Sequence, residues 1–157
     1  AAEIVNKWSE EEIGKILREY GEERAWKKTA KAIIDERRER PIKTTGQLAE
    51  IILALRLGRQ GKIHPATKTF QALRIAVNDE LNALKQVLPP AVEILSSTGR
   101  LAVISFHSLE DRIIKRFFQN QSKSLKIITK KPLVPGRAEV LANPRCRSAK
   151  LRVAEKI

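Results

Sequence analysis

Methionine is absent from this chain of 157 residues, and cysteine occurs once, at Cys146. An initiator methionine can be removed before Ala1, so the first absence decides little alone, but it points to a piece of a longer protein. A lone cysteine cannot close an internal disulfide, which fits a reduced, cytoplasmic setting. Aromatic residues make up only 4% of the chain, so few rings are on offer for base stacking. No apolar run approaches the ~20 residues of a membrane span, and the opening AAEIVNKWSEEE is too acidic and too broken for a signal peptide. Glycine-rich nucleotide loops of the GxGxxG or Walker A type are missing, as is a GxSxG nucleophile elbow. Two histidines and one distant cysteine do not make a zinc site.

What is present is apolar content of 42%, enough for a folded core, and a net charge of +13. The charge is unevenly placed. Residues 1–40 hold 10 basic and 10 acidic side chains, whereas residues 41–157 hold 21 and 8. From residue 120 on the ratio is 10 to 2. A basic half beside a neutral half predicts a polyanionic partner, above all nucleic acid.

Along the chain, Ser9-Glu-Glu-Glu12 is a capping box that starts a helix with Ile13, Ile16, Leu17 and Tyr20 on one face, and Gly21 suits its C-terminal cap. A second helix buries Ala25, Trp26, Thr29, Ala30, Ile33 and Ile34 and stops at Pro41. Thr44 to Gln47 is another capping box. Residues 1–57 thus read as three helices. GRQGKIHP, residues 58–65, is a break. One long helix is expected from Thr67 to Val87, interrupted by Pro89-Pro90. The pattern then changes. Residues 100–106 form a short apolar run of strand length, of the kind covered on both faces. Ser108 is expected to cap a helix with Glu110 and Asp111 at its positive end. Strands follow at 125–129 and 149–157, with a short helix at 138–142 between them. The fold class is α/β with only three strands, few for an open sheet, so strands are expected to be missing on the N-terminal side.

Ligands of open α/β sheets bind beyond the carboxyl ends of strands, and His107 stands at such an end. Either it caps the strand end or bonds loop backbone, or it contacts a bound substrate or cofactor. Ser105 and Ser108 flank it without an argued acid partner, so a hydrolase triad is not indicated. His64, before Pro65, belongs to an extended turn. Arg74 and Asn78 share one face of the long helix, where Asn78 could read a base edge.

Three blocks carry a specific resemblance: GKIHPATKTFQALRIAVNDEL (61–81), LAVISFHSLEDRIIKRFF (101–118) and NPRCRSAKLRVAEKI (143–157). With the opening segment they resemble the bacterial ribosomal RNA small subunit methyltransferase H family. That resemblance implies S-adenosylmethionine-dependent methylation of N4 of a cytidine in the decoding region of small-subunit ribosomal RNA. It also implies a partial Rossmann-like, class I methyltransferase sheet. Residues 1–65 would be a helical inserted domain that recognises RNA, and residues 66–157 the C-terminal half of the methyltransferase domain, ending in an antiparallel hairpin. Nothing here matches the family's glycine-rich cofactor loop, so the chain reads as a portion that binds no cofactor alone. By this resemblance Asn78, Ser105 and His107 would wall the catalytic cleft, and no metal would be needed. Lys62, His64, Lys68, Arg74, Phe106 and Ser108 would face the RNA. The partner would be small-subunit ribosomal RNA or the small subunit itself. The alternative is a freestanding basic RNA-binding module without catalysis. Half a sheet leaves an open edge and an uncovered apolar face, from which self-association is expected.

Overall fold

The computed structural model describes residues 1–55 and 64–157, so Lys62 lies outside the described residues. The chain divides into two compact units, Ala1–Glu80 and Leu81–Ile157.

The first unit is helical. It contains α1 (Ala2–Lys7), α2 (Glu10–Glu19), α3 (Trp26–Glu39), α4 (Thr45–Ala54) and α5 (Thr67–Asn78). Both expected capping boxes form. Ser9 Oγ accepts from the Glu12 backbone N–H while Glu12 accepts from Ser9 N–H, and Thr44 and Gln47 repeat the arrangement. The inward stripes of these helices meet in a core that includes Ile13, Leu17, Ile33, Ile52 and Leu73. Where the sequence suggests three helices in residues 1–57, four are found, because the opening turn α1 buries Ile4 and Val5 in the same core. The chain end of α2 approaches α5 closely. A Cβ at Gly21 would stand 2.7 Å from the Leu17 carbonyl oxygen and 2.8 Å from that of Lys68, so only glycine admits this contact. The Gln71 side-chain amide seals it by donating to Tyr20 O at 2.9 Å. By packing, α5 thus belongs with the first unit, since it lies against α2.

The expected long helix is two. Asp79 adopts left-handed backbone (φ 50°) and ends α5, and α6 (Glu80–Glu93) starts directly after it. Conversely, Pro89 and Pro90 lie inside α6 rather than interrupting it. Both prolines are exposed, as are Lys85 and Gln86, whose carbonyls lose their helical donors, so water can replace those bonds. The buried stripe, Leu88 and Val92, runs on unbroken.

The second unit adds β1 (Arg100–Ser105), α7 (Ser108–Asn120), β2 (Leu125–Ile127), α8 (Arg137–Ala142), a 3₁₀ turn (Pro144–Ser148) and β3 (Lys150–Lys156). The sheet order is β1-β3-β2, and β3 runs antiparallel to both neighbours. One face packs Leu125 and Ala154 against Leu88 and Val92 of α6 and Ile114 and Phe118 of α7. Among the described residues the other face is only partly covered, with Leu151 and Val153 half-buried. Ala102 is exposed and Ile104 is 59% exposed. The apolar run of β1 is thus covered on one face, not two, and among the described residues its outer edge has no partner strand. No helix among the described residues is long and apolar enough to cross a membrane.

Candidate functional site

The turn from β1 into α7 is built by one carboxylate. Glu110 Oε2 accepts from the backbone N–H of Phe106 at 2.8 Å and of His107 at 3.2 Å. In return the His107 imidazole Nδ1 accepts from Glu110 N–H at 3.4 Å. This is a capping box with histidine in the cap position, so His107 rather than Ser108 caps α7. The sequence signal, an acid three residues after the cap, is present in His107-Ser-Leu-Glu110, but histidine is not among the usual cap residues. With Nδ1 an acceptor, the neutral ring carries its proton on Nε2, which lies 3.5 Å from Glu110 Oε1.

Ser105 is buried, and its hydroxyl donates a long bond to Lys150 O at 3.5 Å. Phe106 is 52% exposed. Phe106, His107 and Ser108 line a cavity of about 230 Å³ together with Arg147 and Lys150 from the chain leading into β3. The last two were missed in the sequence, where they read only as members of a basic tail. Exposed Arg147 has no acidic partner among the described residues. The cavity therefore combines an open ring, hydroxyl groups and cations, which suits a base and its phosphate.

Behind this turn lies a buried ion pair. Arg152, 6% exposed, donates to Asp111 through Nε at 2.6 Å and Nη2 at 3.2 Å, and Lys150 Nζ stands 3.5 Å from the same carboxylate. The hydrogen bond from Arg152 holds the Asp111 carboxyl below its ordinary value, against the opposing effect of burial, with the positive charges of Arg152 and Lys150 adding to it. The pair ties the first turn of α7 to the central strand.

In the first unit the residues expected to face RNA, His64, Lys68 and Arg74, and the one expected to wall the cleft, Asn78, are engaged locally. His64 Nδ1 accepts from Ala66 N–H at 3.2 Å in the turn before α5. Lys68 Nζ donates to Glu22 O at 2.9 Å. Arg74 makes a two-pronged pair with Glu80, at 2.8 and 3.1 Å. Asn78 Nδ2 donates to Glu80 Oε1 at 3.1 Å, which orients the amide and leaves Oδ1 as its acceptor. Arg74 and Asn78 also border a mostly apolar cavity of about 320 Å³ lined by Ile42, Phe70, Leu73 and Val77.

The profile of the MraW methylase family matches residues 1–157. The ribosomal RNA small subunit methyltransferase H of Heliobacterium modesticaldum is 52% identical over all of this chain, which covers 56% of that protein. The proteins of the same name from Brevibacillus brevis and Synechocystis sp. are 47% and 52% identical over the full chain, with 56% and 51% of their lengths covered. The chain spans about half the length of the curated relatives it matches.

Proposed function

Because the chain belongs to the MraW methylase family, we propose that it forms the substrate-holding portion of an S-adenosylmethionine-dependent enzyme that methylates N4 of a cytidine in small-subunit ribosomal RNA. The observation that carries this reading is the family match over the whole chain. The sheet agrees with it. Two mutually parallel strands, β1 and β2, with an antiparallel β3 between them suit the closing edge of a Rossmann-like sheet, and the bare edge and face of β1 suit continuation of that sheet. In this reading residues 1–65 are the inserted helical domain and 66–157 the closing half of the methyltransferase domain.

The cofactor would supply an electrophilic methyl group. The turn between β1 and α7 does not fit it. The turn at 105–108 has no glycine to let a ligand approach the backbone, and Glu110 already fills the N-terminus of α7. The chain's own task is then to hold the nucleophile. The exocyclic N4 of cytosine is a poor one, because its lone pair delocalises into the ring. Catalysis requires it to be oriented and its amino hydrogens to be accepted by preorganised groups. Asn78 Oδ1 is an acceptor of that kind, and Ser105, buried with its hydroxyl on Lys150 O, would shape the turn beneath Phe106. Phe106 would pack against a base, and Ser108 would contact RNA beside it. His107, with its acceptor nitrogen already used, would offer only Nε2, which is buried beside Glu110 Oε1 and would have to turn outward to donate to a substrate. Lys62, His64, Lys68 and Arg74 would border the RNA, the last three released from or extending beyond their local bonds.

The test is a chimera joining the uncovered part of the Heliobacterium modesticaldum relative to this chain, incubated with unmethylated small subunits and labelled S-adenosylmethionine. Label on N4 of a cytidine is expected. A folded chimera that leaves the RNA unlabelled would refute the reading.

A further inference from the structure

Residues 1–40 carry equal numbers of acids and bases, yet the fold separates them. The acids Glu10, Glu11 and Glu12 crowd the first turn of α2, where the helix dipole favours them. Arg24 lies in the turn before α3, and within the helix Lys31 follows Lys27 by four residues and Lys28 by three, which is the spacing of one helical face. All four are exposed, and among the described residues none has a carboxylate within 4.0 Å. Farther along the same helix Arg38 pairs with Asp35 and Arg40 with Glu36. Only the first half of α3 is left electropositive.

A solvated surface would not require this placement. Cations in a first turn oppose the helix dipole, an effect of about 0.3–1 kcal/mol each. Like α5, α3 has no acid in its first turn and no side-chain cap, here at Ala25, whereas α2, α4 and α7 have capping boxes. Such local inconsistency is what functional surfaces retain. Trp26 adds a second feature. Its ring lies against Gly14, where a Cβ would stand 2.9 Å from Cε3 and Cζ3. Arg18 and Lys27 stand 5.3 and 5.4 Å from the ring centroid. The ring is occupied by the protein's own groups and organises the cations beside it, rather than lying open for a base to stack on.

We propose that Arg24, Lys27, Lys28 and Lys31 form a docking face for the phosphate backbone of RNA, separate from the groups around 105–108 and blind to base sequence. The proposal rests on the reading that the substrate is RNA and names the face that grips it. Lys27 to Lys31 covers roughly 6 Å of helix axis, and Arg24 lengthens the row, so the face suits about two to four phosphates. Among the described residues its cations have no carboxylate partner and Lys27 touches only the Trp26 ring, whereas Lys68 and Arg74 already have hydrogen-bonding protein partners.

The test is fluorescence anisotropy of a labelled RNA duplex with the full chain over a range of salt. The variant carries Arg24→Gln, Lys27→Gln, Lys28→Gln and Lys31→Gln together, with circular dichroism to verify its fold. Each phosphate no longer neutralised should flatten the slope of log affinity against log salt by about 0.9, so a change of about 2 to 4 is expected. The matched variant, Lys123→Gln with Lys126→Gln, Lys130→Gln and Lys131→Gln, should change the slope by less than half as much. An unchanged slope in the α3 variant, or equal flattening in both, overturns the docking face while RNA binding by the wild-type chain leaves the substrate reading standing. No RNA binding by the wild-type chain at low salt removes both. Displacement of the RNA by poly-glutamate at matched charge would assign the face to an acidic protein and overturn the proposal.

Discussion

Replacing Asp111 by alanine takes the carboxylate away from Arg152 and leaves that guanidinium buried without its partner. Removing one member of a buried pair typically costs about 3–5 kcal/mol. Lys150 adds little to this, because it stands 3.5 Å away with a side chain 36% exposed and can turn to water. Asp111→Ala should therefore lose about 3–5 kcal/mol, while Asp111→Leu with Arg152→Met should lie within about 1 kcal/mol of wild type, since apolar replacement of a whole buried pair is often neutral. Urea unfolding followed by far-UV circular dichroism measures this. Tryptophan fluorescence would not, as Trp8 and Trp26 both lie in the first unit. The same pair sets an acid limb. Asp111 has its carboxyl lowered in the folded state, so its contribution is complete above the ordinary carboxylate value of about 3.9 and is lost as pH falls through the lower folded value. Asp111→Asn should lack that limb. A loss below about 1 kcal/mol for Asp111→Ala, or superimposable acid limbs, would refute the assignment of this pair as the tie between α7 and β3.

Three further changes follow from single contacts. His107→Ala should cost about 0.5–2 kcal/mol through removal of a helix cap, and His107→Asn should recover most of it. In the chimera, turnover rescued along with stability by His107→Asn would remove the imidazole from substrate contact. Gly21→Ala forces a Cβ against two backbone carbonyl oxygens and should cost about 1–3 kcal/mol in thermal unfolding; a neutral result would mean that α2 and α5 do not approach this closely. Ile104→Lys, on the partly covered sheet face, should reduce self-association in sedimentation velocity while changing stability by no more than about 0.5 kcal/mol. A wild-type chain that stays monomeric at high concentration would contradict the view that this face seeks a partner.

The legible parts of the fold were those written locally. Ser9 with Glu12 and Thr44 with Gln47 announce their helices because the capping residues are three apart. The change from helical to strand periodicity at 100–106 is equally plain. Features fixed by distant partners were not legible. Nothing in the composition near Asp79 announces a left-handed residue, and the prolines 89 and 90 look like a stop until the exposed side of α6 is known. Arg152 alternates with apolar neighbours as though it faced water. Its partner, Asp111, is 41 residues away. Among the candidate site residues, position at the strand end singled out Ser105 to Ser108 and allowed the imidazole a backbone bond, but did not name its partner, the Glu110 N–H at the start of α7. The count of charges in residues 1–40 hid the basic face of α3, because a sum carries no information about which sides of two helices the charges occupy.

The central claim is that this chain holds substrate and cannot seat the methyl donor by itself. Calorimetric titration of the chain with S-adenosylmethionine in low-salt buffer tests it most directly. The account predicts no measurable heat of binding beyond dilution. Saturable binding at one site would contradict it, because a cofactor seat would then exist among residues that include no glycine-rich loop.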